Sequence, residues 1–206
     1  MRLGILVSGR GSNLEAVLDA IASGQLPGVE AGLVIANRPG IRALEVAARR
    51  GVPWRLLALD HFADADARDA ALGRALAEAT CDLALLAGYD QLLRASYFDA
   101  FAGRTINIHP SLLPRHGGRG MLGLAVHAAV IAAGDAETGV TVHDVTPELD
   151  AGPPIEQVAL PVVPGESAGE LADRVLEVEH RVVVAVLARL SASMTAATPA
   201  PIRARQ

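Results

Sequence analysis

Lysine is absent from this chain: all 18 residues counted as Lys+Arg are arginine. That excludes a Schiff-base or pyridoxal-phosphate lysine, and it excludes a Walker P-loop with its obligatory amine. Positive charge is scarce altogether. With 23 Asp+Glu the formal net charge is -5, which argues against a large polyanionic partner, because binding nucleic acid needs a basic surface that releases counterions. Cysteine is reduced to one residue, Cys81, which cannot form an internal disulfide and, placed before an apolar strand, reads as buried filler. Aromatic residues make up 3% of a chain that is 51% hydrophobic, so the core is built from Ala, Val and Leu. No apolar run reaches the length that spans a bilayer. Met1 is followed almost at once by a strand pattern, without a basic region, a long apolar segment and a cleavage site in series. The expectation is a soluble, cytoplasmic protein with no nucleic-acid or membrane partner, as a monomer or homodimer.

What the chain does contain is a repeated alternation of strand and helix patterns. Residues 2 to 8 form a short apolar run ended by Gly9-Arg10-Gly11, which suits a buried parallel strand. Ser12 is a good N-cap for a helix in which Leu14, Val17, Leu18 and Ile21 recur at helical spacing until Ser23-Gly24. A strand over 29 to 36, a helix over 40 to 50, a strand over 54 to 59, a helix over 63 to 79 and a strand over 82 to 87 follow. That order, βαβαβαβ, predicts an α/β fold with a mostly parallel twisted sheet, right-handed crossovers and helices on both faces. Downstream the spacing predicts a short helix near 94 to 101, strands over 104 to 109, 138 to 146 and 154 to 163, and helices over 122 to 133 and 167 to 190. Residues 1 to 190 read as a single domain. Residues 191 to 206, rich in Ala, Ser, Thr and Pro, read as a flexible C-terminal tail.

Three stretches carry chemistry. Ser8-Gly9-Arg10-Gly11-Ser12-Asn13 joins the first strand to the first helix; its glycines let the backbone approach a ligand, and the free N–H groups of the helix start favour a phosphate. A dinucleotide fingerprint would need glycine where Leu14 stands, so this is not an NAD loop. Thr105 to Pro114 begins as a β-branched strand and breaks at Pro110. Alternation puts Asn107 and His109 on one side of it, with Cα atoms roughly 6.5 to 7 Å apart. An amide that donates hydrogen bonds beside an imidazole that carries a proton is equipment for a tetrahedral intermediate at an acyl carbon. In the turn-rich segment Thr146 to Pro153, Asp150 becomes interesting if it meets His109, since a carboxylate stabilises an imidazolium. Taken singly, His127, His143 and the Glu179-His180 pair read as structural or solvated. No Cys/His/Asp set has the spacing of a metal site, and no G-x-S-x-G elbow is present.

Together, Ser8 to Leu14, Asn107-Ile108-His109-Pro110-Ser111-Leu112-Leu113-Pro114 and Glu148-Leu149-Asp150-Ala151-Gly152-Pro153 resemble the phosphoribosylglycinamide formyltransferases, a folate-dependent branch of the formyltransferase family, in order and spacing across residues 1 to 190. The resemblance implies a Rossmann-like formyltransferase fold and transfer of the formyl group of 10-formyltetrahydrofolate to glycinamide ribonucleotide, in purine (IMP) biosynthesis, with no metal. It implies that Asn107, His109 and Asp150 are catalytic, that Gly11, Ser12 and Asn13 hold the ribonucleotide phosphate, and that Glu179 binds the ribose hydroxyls. Folate would lie along Tyr89, Asp90, Gln91, Leu92 and Leu93, with Asn107, Thr146 and Asp150, and Arg68 would meet its glutamate tail. The chain departs from the usual family form at residues 116 to 123, which replace a shorter proline-glycine turn, at Asp90-Gln91, where Met-Arg is frequent, and at Leu176, often polar.

A formyltetrahydrofolate hydrolase or a methionyl-tRNA formyltransferase would share the chemistry. Those families usually carry an extra N-terminal or C-terminal domain, for which 206 residues leave no room. A non-catalytic phosphate or nucleotide-binding protein would use the glycine loop alone and have no need of Asn107, His109 and Asp150 together.

Overall fold

In the computed structural model, which describes residues 1–197, the strands are β1 (Arg2–Val7), β2 (Glu30–Ala36), β3 (Trp54–Leu56), β4 (Leu83–Leu86), β5 (Arg104–His109), β6 (Glu137–Asp144) and β7 (Pro154–Pro161). The helices are α1 (Ser12–Ala22), α2 (Arg42–Arg49), α3 (Ala65–Glu78), α4 (Ala95–Ala100), α5 (Leu124–Ala133) and α6 (Ala168–Ala197). The strands form one sheet in the order β3-β2-β1-β4-β5-β6-β7. β1 to β5 pair in parallel, as the alternation predicts, while β6 and β7 run antiparallel at one edge. The strand pleat divides the core. Leu3, Ile5 and Val7 face a cluster with Leu14 and Val17 of α1, Val46 of α2, Val130 of α5 and Val183 of α6. Leu6 faces the opposite way, toward Leu72 and Leu76 of α3 and Tyr97 of α4. Burial on both faces explains why these strands read as continuous apolar runs.

The loops after β1, β4 and β5 leave the parallel strands at their carboxyl ends, where open α/β sheets bind ligands. β1 lies inside the sheet, between β2 and β4, so the connections on either side diverge beside it.

Three expectations about elements are corrected. The N-cap of α1 is Gly11, in the left-handed region at φ 76, and Ser12 is the first helical residue; no side chain caps this end. A Cβ on Gly11 would lie 2.8 Å from Ala43 Cβ, so close packing of α2 on the loop, together with the dihedral, selects glycine there. β3 stops at Leu56 because it pairs only with Val34 to Ala36, the last residues of β2, and a 3-10 turn over Leu59–His61 follows. α6 continues through Ala197 instead of stopping at Leu190. Alanine favours helix, and the buried Ser191 is docked, its hydroxyl donating to the Pro27 carbonyl at 3.4 Å. The rest of the expected tail, 198 to 206, lies outside the described residues. No helix among the described residues is long and apolar enough to cross a membrane.

Candidate active site

A cavity of about 1180 Å³ opens between the loop after β1, the turn after β4, the end of β5, the 118–124 and 145–150 segments, and one face of α6. Asn107, His109 and Asp150 all line it, as do Gly11, Ser12, Asn13, Glu179 and Thr146, and Tyr89, Asp90, Gln91, Leu92 and Leu93.

Strand alternation brings Asn107 and His109 to this wall, and the antiparallel register sets His143 of β6 directly opposite Asn107. His143 Nδ1 lies 2.8 Å from the Asp144 carbonyl oxygen, which only accepts, so that nitrogen carries the proton. Its Nε2 therefore offers a lone pair, and Asn107 Nδ2 donates to it at 3.1 Å. Burial pushes the His143 pKa down, outweighing the Asp144 carbonyl and the Asp150 carboxylate, and keeps the ring neutral. The Asn107 amide is thus held in one orientation, with its second N–H unengaged.

His109, 5% exposed, points its Nε2 at the His116 carbonyl oxygen, 2.9 Å away. Its Nδ1 lies 3.9 Å from Asp150 Oδ2. Asp150 sits between two imidazoles, its Oδ1 being 3.8 Å from His143 Nε2, and its Oδ2 accepts the Gly118 N–H at 2.8 Å. The residue adopts φ 53, a left-handed conformation that Asp and Asn tolerate better than most. The loop geometry thus aims a carboxylate at His109 from 41 positions away in sequence, where turn chemistry alone gave no reason for the meeting.

At the other end, the first turn of α1 faces the cavity with no capping side chain, and its free N–H groups and dipole suit an anion. Asn13 Nδ2 donates to Glu179 Oε1 at 3.4 Å, while Asn13 Oδ1 is buried without a hydrogen-bond partner. Glu179 is 9% exposed, not on a solvated face. Burial raises its pKa to about 7, against the Asn13 hydrogen bond and the Arg10 charge. An unsatisfied amide oxygen beside a half-protonated carboxyl is a receptor for hydroxyl groups.

The turn after β4 is braced from behind. Asp90 accepts from Asn37 at 2.7 Å and from Gln91, and pairs with Arg38; its own N–H donates to Ser8 Oγ at 3.0 Å. Burial would raise the Asp90 carboxyl, but hydrogen bonds from Asn37, Gln91 and Ser8 and the Arg38 charge hold it below the usual range. Arg68 is not brought to the cavity. It is 2% exposed, with its guanidinium on Asp69 Oδ1 at 2.6 and 2.8 Å and on Gln91 Oε1 at 3.2 Å, which leaves it supporting the turn from inside. Tyr89 and Leu93 also belong to the apolar core beneath the turn, whereas Leu92 is 45% exposed at the cavity mouth.

The lining residues not expected from the sequence include two histidines: His143, visible only through the β5–β6 register, and His127 of α5. His127 is buried with Nδ1 unpartnered, and burial, then the His109 charge, push its pKa down. Among the described residues no group of three or more His, Cys, Asp or Glu could hold a metal ion.

A profile described as formyl transferase matches residues 1–187. The chain is 35% identical to the phosphoribosylglycinamide formyltransferase of Escherichia coli over 187 residues, covering 91% of this chain and 85% of that one. It is 38% identical to the trifunctional purine biosynthetic protein adenosine-3 of Drosophila melanogaster over 92% of its own length, but spans only 14% of that protein. The glycinamide ribonucleotide transformylase 1 of Symbiobacterium toebii, known from a crystal structure, superposes with a TM-score of 0.87 at 37% identity, covering 94% of this chain and 88% of that one.

Proposed function

This chain belongs to the formyl transferase family, and we propose that it transfers the formyl group of 10-formyltetrahydrofolate to the amine of glycinamide ribonucleotide, a step of purine biosynthesis. The observation that carries this reading is one cavity holding an acyl-transfer constellation, Asn107, His109 and Asp150, together with a helix start and a buried Asn13–Glu179 pair suited to a phosphorylated sugar.

The phosphate sits on the α1 amides of Gly11, Ser12 and Asn13, and the ribose hydroxyls donate to Glu179. Folate lies along the 89–93 turn and the 146–150 loop, with Leu92 and Leu149 exposed at the mouth to cover its apolar rings. The substrate amine attacks the formyl carbon, giving a tetrahedral centre whose oxygen takes the negative charge. The free N–H of Asn107 and protonated His109 stabilise that oxygen. Asp150 stabilises the imidazolium while a proton passes from the attacking nitrogen toward N10 of the folate. The bond from carbon to N10 then breaks, releasing tetrahydrofolate and the formylated amide. Every residue in this scheme comes from one chain, so a monomer suffices, and residues 1 to 190 act as one domain in the cytoplasm, where both substrates are small soluble anions.

Incubation with 10-formyltetrahydrofolate, with and without glycinamide ribonucleotide, tests the reading. Folate turnover that requires the ribonucleotide supports it; equal turnover without the acceptor identifies a hydrolase.

A further inference from the structure

Resting on the reading of His109 as the acid, we propose that His116 and Asp135 are positioning residues: the hydrogen bond between their side chains, outside the cavity, holds the carbonyl that fixes the tautomer of His109.

The carbonyl of His116 lies 2.9 Å from His109 Nε2. Because a carbonyl oxygen only accepts, Nε2 keeps its hydrogen in both charge states, and the proton that comes and goes is confined to Nδ1, the atom facing Asp150. A shift of this carbonyl would free the ring to adopt the other tautomer, with a bare Nε2 and its hydrogen on Nδ1. The catalytic proton would then have no place on the Asp150 side.

The carbonyl does not stay in place by default. His116 adopts φ 52, a left-handed backbone that costs a residue with a Cβ, and it opens a loop with glycine at 117, 118 and 120. Ser111 Oγ reaches this carbonyl oxygen only at 3.4 Å, and the shorter tie is the residue's own side chain: His116 Nε2 donates to Asp135 Oδ2 at 2.6 Å. Arg115 pairs with the other oxygen of the same carboxylate. Asp135 is itself fixed, just after the left-handed Gly134 that ends α5. Ser111 Oγ adds a bond to the Arg115 carbonyl at 2.6 Å. The turn between α5 and β6 is in this way tied to the loop after β5. Neither His116 nor Asp135 lines the cavity, so an effect of either on turnover is indirect, and the His109 tautomer shows whether it passes through that ring.

The test uses full-length protein with 15N-labelled histidine, in which the ring-nitrogen shifts report the His109 tautomer at a pH where the ring is neutral. The variants are Asp135→Ala, Asp135→Glu and His116→Asn, the last because Asn tolerates the left-handed backbone. Wild type is expected to show the Nε2–H form alone. Asp135→Ala and His116→Asn are expected to show both forms, with kcat lowered about tenfold and the KM for ribonucleotide unchanged, as for a misplaced catalytic group. Asp135→Glu is expected to restore the single tautomer and most of kcat. A single tautomer in Asp135→Ala and His116→Asn, whatever happens to their thermal stability, overturns the proposal. Full formyl transfer by His109→Ala would instead overturn the proposed function, so the two failures are separable.

Discussion

Asn107 Nδ2 lies 3.1 Å from His143 Nε2, and the neutral, Nδ1-protonated state of His143 makes this a one-way hydrogen bond that sets which end of the Asn107 amide faces the reacting carbon. If the bond is lost, the amide is free to flip and present its oxygen, an acceptor, to a developing negative charge. His143→Phe is therefore expected to lower kcat by about 10²-fold, comparable to losing an oxyanion donor, while the KM for ribonucleotide changes little. Steady-state kinetics at saturating folate check this. Unchanged kcat would leave Asn107 orientation to other contacts.

Gly11→Ala should weaken the fold before it weakens ligand binding. The backbone is left-handed at φ 76, and the new methyl would meet Ala43 at 2.8 Å on α2. A destabilisation of about 1 to 3 kcal/mol is expected from the dihedral and the crowding together. Urea unfolding without ligand measures it, and stability equal to wild type would contradict the packing argument.

Glu179 makes stability and binding oppose each other. Its carboxyl has a folded pKa of about 7, above the ordinary value of 4.5, so between those values the folded protein holds a proton that the unfolded chain has released. Stability from this group is accordingly full at low pH, falls as pH rises from about 4.5 to 7, and is flat above. Glu179→Gln removes the loss and should stabilise the protein at pH 8 by on the order of 3 kcal/mol, with no gain at pH 4. The same variant should bind ribonucleotide more weakly, since ribose hydroxyls prefer a carboxylate acceptor. Thermal melts at the two pH values, beside ribonucleotide titrations, decide both halves.

Asp150→Asn keeps the left-handed turn, which Asn tolerates, and removes the negative charge 3.9 Å from His109 Nδ1. The imidazolium that forms during proton transfer loses its counter-charge, so turnover at neutral pH should fall by about 10²-fold or more. Unchanged turnover would reduce Asp150 to a turn residue.

The parallel part of the sheet was legible because its strands are buried on both faces and read as apolar runs between helical repeats. Asn107 and His109 were legible because alternation along one strand is local. His143 was not: its meeting with Asn107 depends on the antiparallel register of β5 and β6, and nothing in the local pattern around His143 sets that register. Arg68 misled for a related reason. The family resemblance alone placed it at the folate's glutamate tail, and only the docking of α3 shows that Asp69 and Gln91 have taken its guanidinium. Ser12 looked like the cap because Ser usually is, whereas the close approach of Ala43 moved that role to Gly11. Beyond Leu190 the weak apolar pattern suggested fraying, but helix propensity and the Ser191 contact carry α6 onward.

The central claim is that Asn107, His109 and Asp150 move a formyl group between two small molecules held in one cavity, and an isotope label reads it directly. With 13C in the formyl group of 10-formyltetrahydrofolate, wild type should place the label on the ribonucleotide amine. His109→Ala should bind ribonucleotide with unchanged affinity yet transfer label at least about 10²-fold more slowly. Label recovered as free formate at the same rate with and without ribonucleotide, or undiminished transfer by His109→Ala, would contradict the account.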